Sequence, residues 1–126
     1  MAPPPVKPVA ERLQLPLWQP RRVREPETQE RLFQLHPQLQ VVVAFGQILP
    51  RALIELAPLG TVNVHASLLP KYRGAAPVQW AIASGETETG VTTMLIDEGL
   101  DTGPTLLARP LAIGAEETAA ELEPRL

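Results

Sequence analysis

The feature that most restricts the fold is the run VVVAF at residues 41–45, which is entirely apolar and begins with three β-branched valines. An unbroken run of this kind is typical of a parallel strand covered by helices on both faces. Gly46 ends the run, and a helical pattern from Arg51 to Leu56 precedes the next extended segment at Val62. This order predicts a right-handed βαβ unit in which residues 41–45 form a central strand.

The second extended segment carries two polar residues that point to function. Within GTVNVHASLLPKYRG, residues 60–74, Val62 and Val64 alternate with Asn63 and His65, so a strand places both polar side chains on one face. At about 3.3 Å of rise per residue, they stand roughly 7 Å apart. The strand ends directly afterwards, which places the pair at its carboxyl end, where open α/β sheets bind ligands. This position predicts an active site.

The rest of the chain alternates helical and extended patterns, with prolines and glycines at the boundaries. Pro26 predicts a helix start, and Pro37 predicts the end of that helix near His36. Pro77 and Gly85 bound another helix in the same way. The other expected elements are a helix at 6–13, a strand at 15–18, a turn at 85–90, extended segments at 91–96 and 104–113 around an acidic loop at 97–103, and a helix within 115–126.

Length and composition limit the classes of function. A chain of 126 residues is one ordinary domain, and without cysteine it has neither disulfides nor thiolate metal ligands. No apolar run approaches the roughly 20 residues that span a bilayer, and the start lacks the apolar core of a signal peptide, so we expect a soluble cytoplasmic protein. The formal net charge of -3 argues against a strong nucleic-acid-binding surface in this chain alone.

An amide and an imidazole on one strand face suit a particular chemistry. A lone histidine on a strand is usually structural, but Asn63 and His65 together supply donors for a carbonyl oxygen that becomes negatively charged. A carboxylate of the acidic loop can orient the imidazole and accept a proton from an attacking amine, and Asp101 is the preferred candidate. Asp97 and Glu98 fit a solvated turn. Two histidines far apart in sequence give poor spacing for a metal site, and no metal is expected.

Three segments, VVVAFGQILP, NVHASLLPKYRGAAPVQWAI and GVTTMLIDEGLDTG, closely resemble the folate-dependent formyltransferases, and the likeness covers nearly the whole chain. The family shares the pattern N-x-H, then SLLP, then a downstream aspartate, while RGAAPVQWAI is similar to its tRNA-modifying branch. The resemblance implies an α/β, Rossmann-like catalytic domain with a mostly parallel sheet flanked by helices. It also implies 10-formyltetrahydrofolate as formyl donor and the amino group of methionine on initiator methionyl-tRNA as acceptor.

The same resemblance implies roles for individual residues. Asn63, His65 and Asp101 match the catalytic triad of the family. In the mechanism this implies, the amine attacks the formyl carbon, Asn63 and a protonated His65 stabilise the oxygen that gains charge, and Asp101 helps to remove the amine proton. The folate-contacting positions are Ser67, Leu68, Leu69 and Pro70 in one loop, and Phe45, Gly46, Gln47, Ile48, Leu49 and Ile96 around the pterin pocket.

Family members also contain parts that do not appear in these 126 residues. They carry a strand, a helix and a basic loop before the segment from Pro5 to Lys7, and a tRNA-binding domain after the helix that reaches Leu126. We therefore expect residues 1–126 to be a partial catalytic domain that lacks its first strands, with most tRNA contacts made elsewhere. The strand at 41–45 then loses a neighbour and exposes an apolar edge.

Two other functions remain compatible with the sequence. The first is another folate-dependent formyltransferase on the same scaffold, with glycinamide ribonucleotide or a sugar amine as acceptor. The second is a truncated, non-catalytic folate-binding remnant that keeps the site without turnover. Comparing acceptors separates the first from the tRNA-modifying enzyme, and measuring folate binding and formyl transfer on the same sample separates the second from both.

Overall fold

The computed structural model describes residues 3–126 and contains a four-stranded mixed sheet with strand order β1-β2-β3-β4. The first two strands, β1 (Gln40–Val43) and β2 (Thr61–His65), are parallel, as the βαβ pattern predicts. The third strand, β3 (Glu88–Leu95), is antiparallel to β2, and β4 (Thr105–Ala112) is antiparallel to β3. The α/β class is therefore confirmed, but the sheet is mixed instead of mostly parallel.

The direction of β3 explains this difference from the expected sheet. His65, at the end of β2, pairs with Thr92, whereas Val62 near its start pairs with Leu95. The intervening residues 66–87 thus return the chain to the end of the sheet where β2 finishes, without crossing the sheet. Two parallel neighbouring strands need a connection that crosses from one end of the sheet to the other. The order of strand, loop, helix and strand in the sequence does not show whether the connection makes this crossing.

Helices flank this sheet and begin and end where the sequence places its helix signals. Pro26 and Pro77 stand in the first turns of their helices, and Gly85, with φ of +68°, follows the second of them. Among residues 3–126, no helix is long and apolar enough to cross a bilayer. The helices are α1 (Val6–Arg12), α2 (Pro26–Gln34), α3 (Arg51–Ile54), α4 (Pro77–Ala83) and α5 (Ala119–Leu122), followed by a 3-10 turn (Glu123–Arg125).

The prediction that residues 41–45 form a central strand is wrong. In the described part of the chain β1 pairs only with β2, and Val41 and Val43 are 61% and 62% exposed. Ala44 adopts φ of +48°, outside the extended range, so the strand ends before Phe45. An apolar edge is what the sequence predicts if the neighbouring strand is missing.

Two further local predictions are corrected by the structure. Residues 15–18 belong to no helix or strand, since Pro16 and the nearby Pro20 have no N–H to donate to a ladder. Residues 85–90, expected as a turn, contain the first three residues of β3. Gly90 lies there because a Cβ at this position would meet the Arg109 carbonyl oxygen of β4 at 2.1 Å.

The core is formed by side chains of the sheet and of the helices on it. Leu53 of α3, Met94 of β3 and Leu122 of α5 are at most 1% exposed. A buried polar link joins the first βαβ unit, because the Thr61 hydroxyl donates to the Ile54 carbonyl at 2.9 Å. This packing holds α3 against the start of β2 and so sets the position of the strand.

Truncating a core leucine tests this packing. We expect Leu53→Ala to lower the free energy of unfolding by about 2–5 kcal/mol, because it removes buried methyl groups and leaves a cavity. The matched control is Leu59→Ala, whose side chain is 67% exposed and whose loss we expect to cost less than about 0.5 kcal/mol. Urea denaturation followed by circular dichroism measures both, and equal effects would contradict the assigned core.

Candidate active site

The three residues matched to the catalytic triad border one cavity. Asn63 and His65 lie on the same face of β2, and Asp101 reaches them from the loop after β3. All three line a cavity of about 1030 Å³. The tertiary structure therefore brings together residues that are up to 38 positions apart in the sequence.

The imidazole of His65 is held between two oxygen atoms. Its Nε2 lies 2.8 Å from the carbonyl oxygen of Tyr72, and its Nδ1 lies 3.6 Å from Oδ2 of Asp101. A carbonyl oxygen only accepts hydrogen bonds, so Nε2 carries a proton and donates it to Tyr72. Nδ1 is consequently the nitrogen that faces the carboxylate. It carries no proton when the ring is neutral, and it can donate a hydrogen bond when the ring is charged.

Asp101 is fixed by contacts with the loop that follows β2. Its Oδ2 accepts a hydrogen bond from the backbone N–H of Gly74 at 2.7 Å, and its carbonyl oxygen accepts one from Arg73 Nε at 3.0 Å. Its φ of +51° is the left-handed region, which costs a non-glycine residue on the order of 1–3 kcal/mol. These hydrogen bonds hold the carboxylate beside His65 despite that cost.

The position of Asp101 has a different origin from the one expected. The carboxyl end of β3 lies at the opposite end of the sheet from that of β2, because the two strands are antiparallel. Residues 96–104 must fold back along the sheet to bring Asp101 to His65. Asp101 therefore lies next to His65, but it does so through a loop that folds back and not because two parallel strands end at the same edge of the sheet.

Asn63 has the features of a group available to a ligand. It lies opposite Val42 of β1 and Met94 of β3, and its side chain is partly exposed to the cavity. Within residues 3–126 its carboxamide makes no hydrogen bond. An amide donor that is already placed at the cavity wall can bind a developing negative charge with little reorganisation.

The other two acids of the loop have structural contacts. Asp97 Oδ1 accepts hydrogen bonds from the Gly99 N–H at 2.9 Å and the Thr102 hydroxyl at 2.8 Å, as in a local turn. Glu98 is exposed and forms an ion pair with Arg51 at 3.3 Å. These contacts agree with the prediction that both residues belong to a solvated turn.

The residues matched to folate-contacting positions fall into two groups. The side of the cavity near β1 and the start of the β3–β4 loop includes every position predicted for the pterin pocket, namely Phe45, Gly46, Gln47, Ile48, Leu49 and Ile96. The positions of the SLLP loop, Ser67, Leu68, Leu69 and Pro70, do not line this cavity. The structure therefore brings only the first group to the predicted triad.

The SLLP loop instead packs behind His65. The Ser67 side chain is fully buried and donates to the Lys71 carbonyl at 2.6 Å. The Thr92 hydroxyl of β3 donates to the Ser67 carbonyl at 2.7 Å and accepts from the Leu69 N–H at 3.1 Å. These hydrogen bonds fix the backbone that leads from β2 to Tyr72.

An ion pair anchors the outer side of the same loop. Glu86 accepts hydrogen bonds from Lys71 Nζ at 2.9 Å and from the Tyr72 hydroxyl at 2.8 Å. The hydrogen bonds from Lys71 and Tyr72 lower the pKa of Glu86, and the hydrogen bond to Glu86 raises the pKa of Lys71. Both groups are therefore charged at neutral pH.

Two contributors to the site were not predicted from the sequence. They are the carbonyl of Tyr72, which contacts His65, and the N–H of Gly74, which contacts Asp101. The available signal is Gly74 itself, whose φ of +85° favours glycine at the point where the chain approaches the carboxylate. Tyr72 contributes through its backbone carbonyl, which a pattern of side chains in the sequence does not reveal.

Fold and site together define a class: an α/β domain with a polar cluster at a strand end beside a large, partly apolar cavity. The sequence model of the family described as Formyl transferase matches residues 1–126, so the chain belongs to that family. This confirms the family expected from the sequence.

Curated relatives share more than half of their aligned residues with this chain. The methionyl-tRNA formyltransferase of Trichlorobacter lovleyi is 58% identical over 126 residues, which cover 100% of this chain and 40% of that protein. The methionyl-tRNA formyltransferase of Synechococcus sp. is 58% identical over 125 residues, which cover 98% of this chain and 39% of that protein. The chain thus spans about 40% of the length of the curated relatives it matches.

Solved structures share the fold at lower sequence identity. Glycinamide ribonucleotide transformylase 1 from Geobacillus kaustophilus aligns with a TM-score of 0.81 and 29% identity, over 95% of this chain and 68% of that chain. Phosphoribosylglycinamide formyltransferase from Anaplasma phagocytophilum aligns with a TM-score of 0.84 and 25% identity, over 94% and 58% of the two chains. These likenesses confirm the Rossmann-like α/β class.

Replacing the bridging hydroxyl of β3 tests the support behind His65. Thr92 is 1% exposed, and Thr92→Val leaves the Ser67 carbonyl and the Leu69 N–H without this partner. We expect a loss of about 1–3 kcal/mol in the free energy of unfolding. Thr93→Val is the matched control, because its hydroxyl makes only a 3.5 Å contact at an exposed site. Denaturant titration of both variants decides, and similar losses would contradict the bridging role.

Proposed function

We propose that this chain carries the catalytic site of an enzyme that transfers the formyl group of 10-formyltetrahydrofolate to the amino group of methionine on initiator methionyl-tRNA. The observation that carries this proposal is the arrangement of Asn63, His65 and Asp101 around one cavity. Membership of the Formyl transferase family and the printed names of the curated relatives support the reaction and the acceptor.

The dimensions and lining of the cavity fit a folate. About 1030 Å³ is at the upper end of the range of small-molecule sites. Phe45, Ile48, Leu49 and Ile96 offer apolar surface for a bicyclic ring, while Gln47 and neighbouring backbone groups offer hydrogen bonds. The triad residues line the same cavity, so a formyl group carried by the bound folate can be presented to an amine beside them.

In the proposed mechanism Asn63 and the protonated Nδ1 of His65 donate hydrogen bonds to the formyl oxygen as the amine attacks the formyl carbon. Asp101 stabilises the imidazolium and accepts a proton from the attacking amine. A new carbon–nitrogen bond forms to the methionine amino group, and the bond between the formyl carbon and N10 of the donor breaks. The proton lost by the amine is returned to that nitrogen, so tetrahydrofolate leaves as a neutral amine.

A second acceptor is supported by the structural comparison. The solved structures named above are glycinamide ribonucleotide formyltransferases, and they share the fold of this chain. The decisive experiment offers 10-formyltetrahydrofolate with initiator methionyl-tRNA, glycinamide ribonucleotide or a sugar amine to the protein expressed in full from its gene. Formylation of the tRNA alone supports the proposal. Formylation of either small amine supports another folate-dependent formyltransferase on the same scaffold. Folate binding without transfer to any acceptor supports a non-catalytic remnant.

Asp101→Asn tests the proposed proton acceptor. The asparagine oxygen can still accept from the Gly74 N–H, so the fold is retained while the negative charge beside His65 is lost. We expect turnover to fall by at least about 100-fold with folate affinity unchanged. Asp97→Asn is the matched control and should keep the parental rate. Single-turnover formylation measures the step, and a parental rate for Asp101→Asn would refute the assignment.

Asn63→Ala tests the proposed oxyanion donor. Loss of the carboxamide should raise the barrier of the transfer step by roughly 3 kcal/mol, because one preorganised donor disappears. Folate binding should change little, since the donor acts on the charge that develops during the reaction. The measurement compares kcat/KM with the folate dissociation constant, and an unchanged kcat/KM would remove Asn63 from the site.

A further inference from the structure

A carboxylate outside the cavity accepts hydrogen bonds from two residues of the loop whose backbone contacts His65. Glu86 lies between α4 and β3, its side chain is 25% exposed, and it does not line the cavity. It accepts hydrogen bonds from Lys71 Nζ at 2.9 and 3.0 Å and from the Tyr72 hydroxyl at 2.8 Å. The two residues it holds are consecutive, and both belong to the loop that follows β2.

This loop holds an uncommon conformation at the residue in contact with the imidazole. Tyr72 has φ of +55°, which a residue with a bulky side chain seldom adopts without outside restraint. On its inner side the loop is tied by the Ser67 hydroxyl, which donates to the Lys71 carbonyl at 2.6 Å. On its outer side Glu86 holds the Tyr72 side chain. The Tyr72 carbonyl, 2.8 Å from Nε2 of His65, is thus restrained from both sides.

The orientation of this carbonyl determines which ring nitrogen of neutral His65 carries the proton. While the carbonyl accepts the Nε2 proton, the other nitrogen, Nδ1, faces Asp101 at 3.6 Å. If the carbonyl turned away, a neutral imidazole would be free to hold its proton on Nδ1. The charged ring that donates its Nδ1 proton to the formyl oxygen would also lose the acceptor of its Nε2 proton, which is one of its two partners.

We propose that Glu86 is a positioning residue for formyl transfer: by holding Lys71 and the Tyr72 hydroxyl, it fixes the carbonyl that keeps the proton of His65 on Nε2. This inference rests on the proposed function. The charged and titratable groups around the network are Lys71, Tyr72 and Glu88 on the side of Glu86, and Asp101 and Arg73 on the side of His65.

Three substitutions test the proposal in the protein expressed in full from its gene. Glu86→Ala removes the acceptor, and Glu86→Gln keeps an acceptor for the Tyr72 hydroxyl without the charge. Tyr72→Phe removes the hydroxyl, and with it the restraint by Glu86, while the backbone carbonyl group itself is still present. Glu88→Gln is the matched control, because its carboxylate is exposed at the start of β3, two residues after Glu86, and makes no hydrogen bond within the described residues.

The first measurement is the 15N chemical shift of the imidazole nitrogens across the pH range, without substrate. In the parental protein we expect neutral His65 to carry its proton on Nε2 alone. In Glu86→Ala and Tyr72→Phe we expect a mixture of the two tautomers of neutral His65. His36, which lies after α2, is the internal reference and should not change in any variant.

The second measurement is steady-state formylation. We expect kcat to fall about 10- to 100-fold in Glu86→Ala and Tyr72→Phe, with KM for the folate donor unchanged, since the reacting groups are misplaced and the pterin pocket is not. Glu86→Gln should retain more activity than Glu86→Ala.

An unchanged His65 tautomer in Glu86→Ala and Tyr72→Phe would overturn the proposal, even if activity fell, because the effect would then be on stability alone. A parental kcat in both variants would overturn it as well. Failure of the parental protein to formylate methionyl-tRNA would instead contradict the proposed function, and the ring shifts would still decide whether Glu86 controls His65.

Discussion

The hydrogen bond from the Gly74 N–H to the Asp101 carboxylate is the contact on which the site depends. It joins the loop after β2 to the loop after β3, two segments that leave the sheet at opposite ends. Without it, only the hydrogen bond from Arg73 to the Asp101 carbonyl would offset the conformational cost of the left-handed backbone at Asp101. Because of it, a carboxylate stands beside an imidazole that is itself held on the other side by the Tyr72 carbonyl.

Most of the positioning is done by backbone groups and by residues that do not line the cavity. In the part of the chain the structure describes, every buried side-chain nitrogen and oxygen has a hydrogen-bond partner. Thr92, Ser67 and Glu86 form successive supports behind the loop that carries Tyr72. Asn63 differs from them, since its carboxamide makes no such bond and faces the cavity. A polar group left available in an otherwise satisfied network is expected where a ligand binds.

The reaction site and the choice of acceptor are separable in this architecture. The fold is shared by a solved structure named for a nucleotide acceptor, and a relative named for a tRNA acceptor is 58% identical over this chain. A shared scaffold supports a shared chemistry at the strand end, while a scaffold alone does not specify the molecule that is modified. The exposed valines of β1 and the net charge of -3 are equally uninformative about the acceptor.

The sequence by itself determined the local features of this protein. The alternation of residues 61–65 placed Asn63 and His65 on one face, and Pro26, Pro77 and Gly85 marked helix ends, because side-chain period and backbone restriction act over a few residues. Only the tertiary structure decided that β3 runs antiparallel, that β1 lies at an edge, and that Asp101 reaches His65 by a loop folding back. Strand direction and the path of a loop depend on contacts between residues that are far apart in the sequence. The Tyr72 carbonyl is a backbone group that every residue has, so the sequence does not mark it as part of the site.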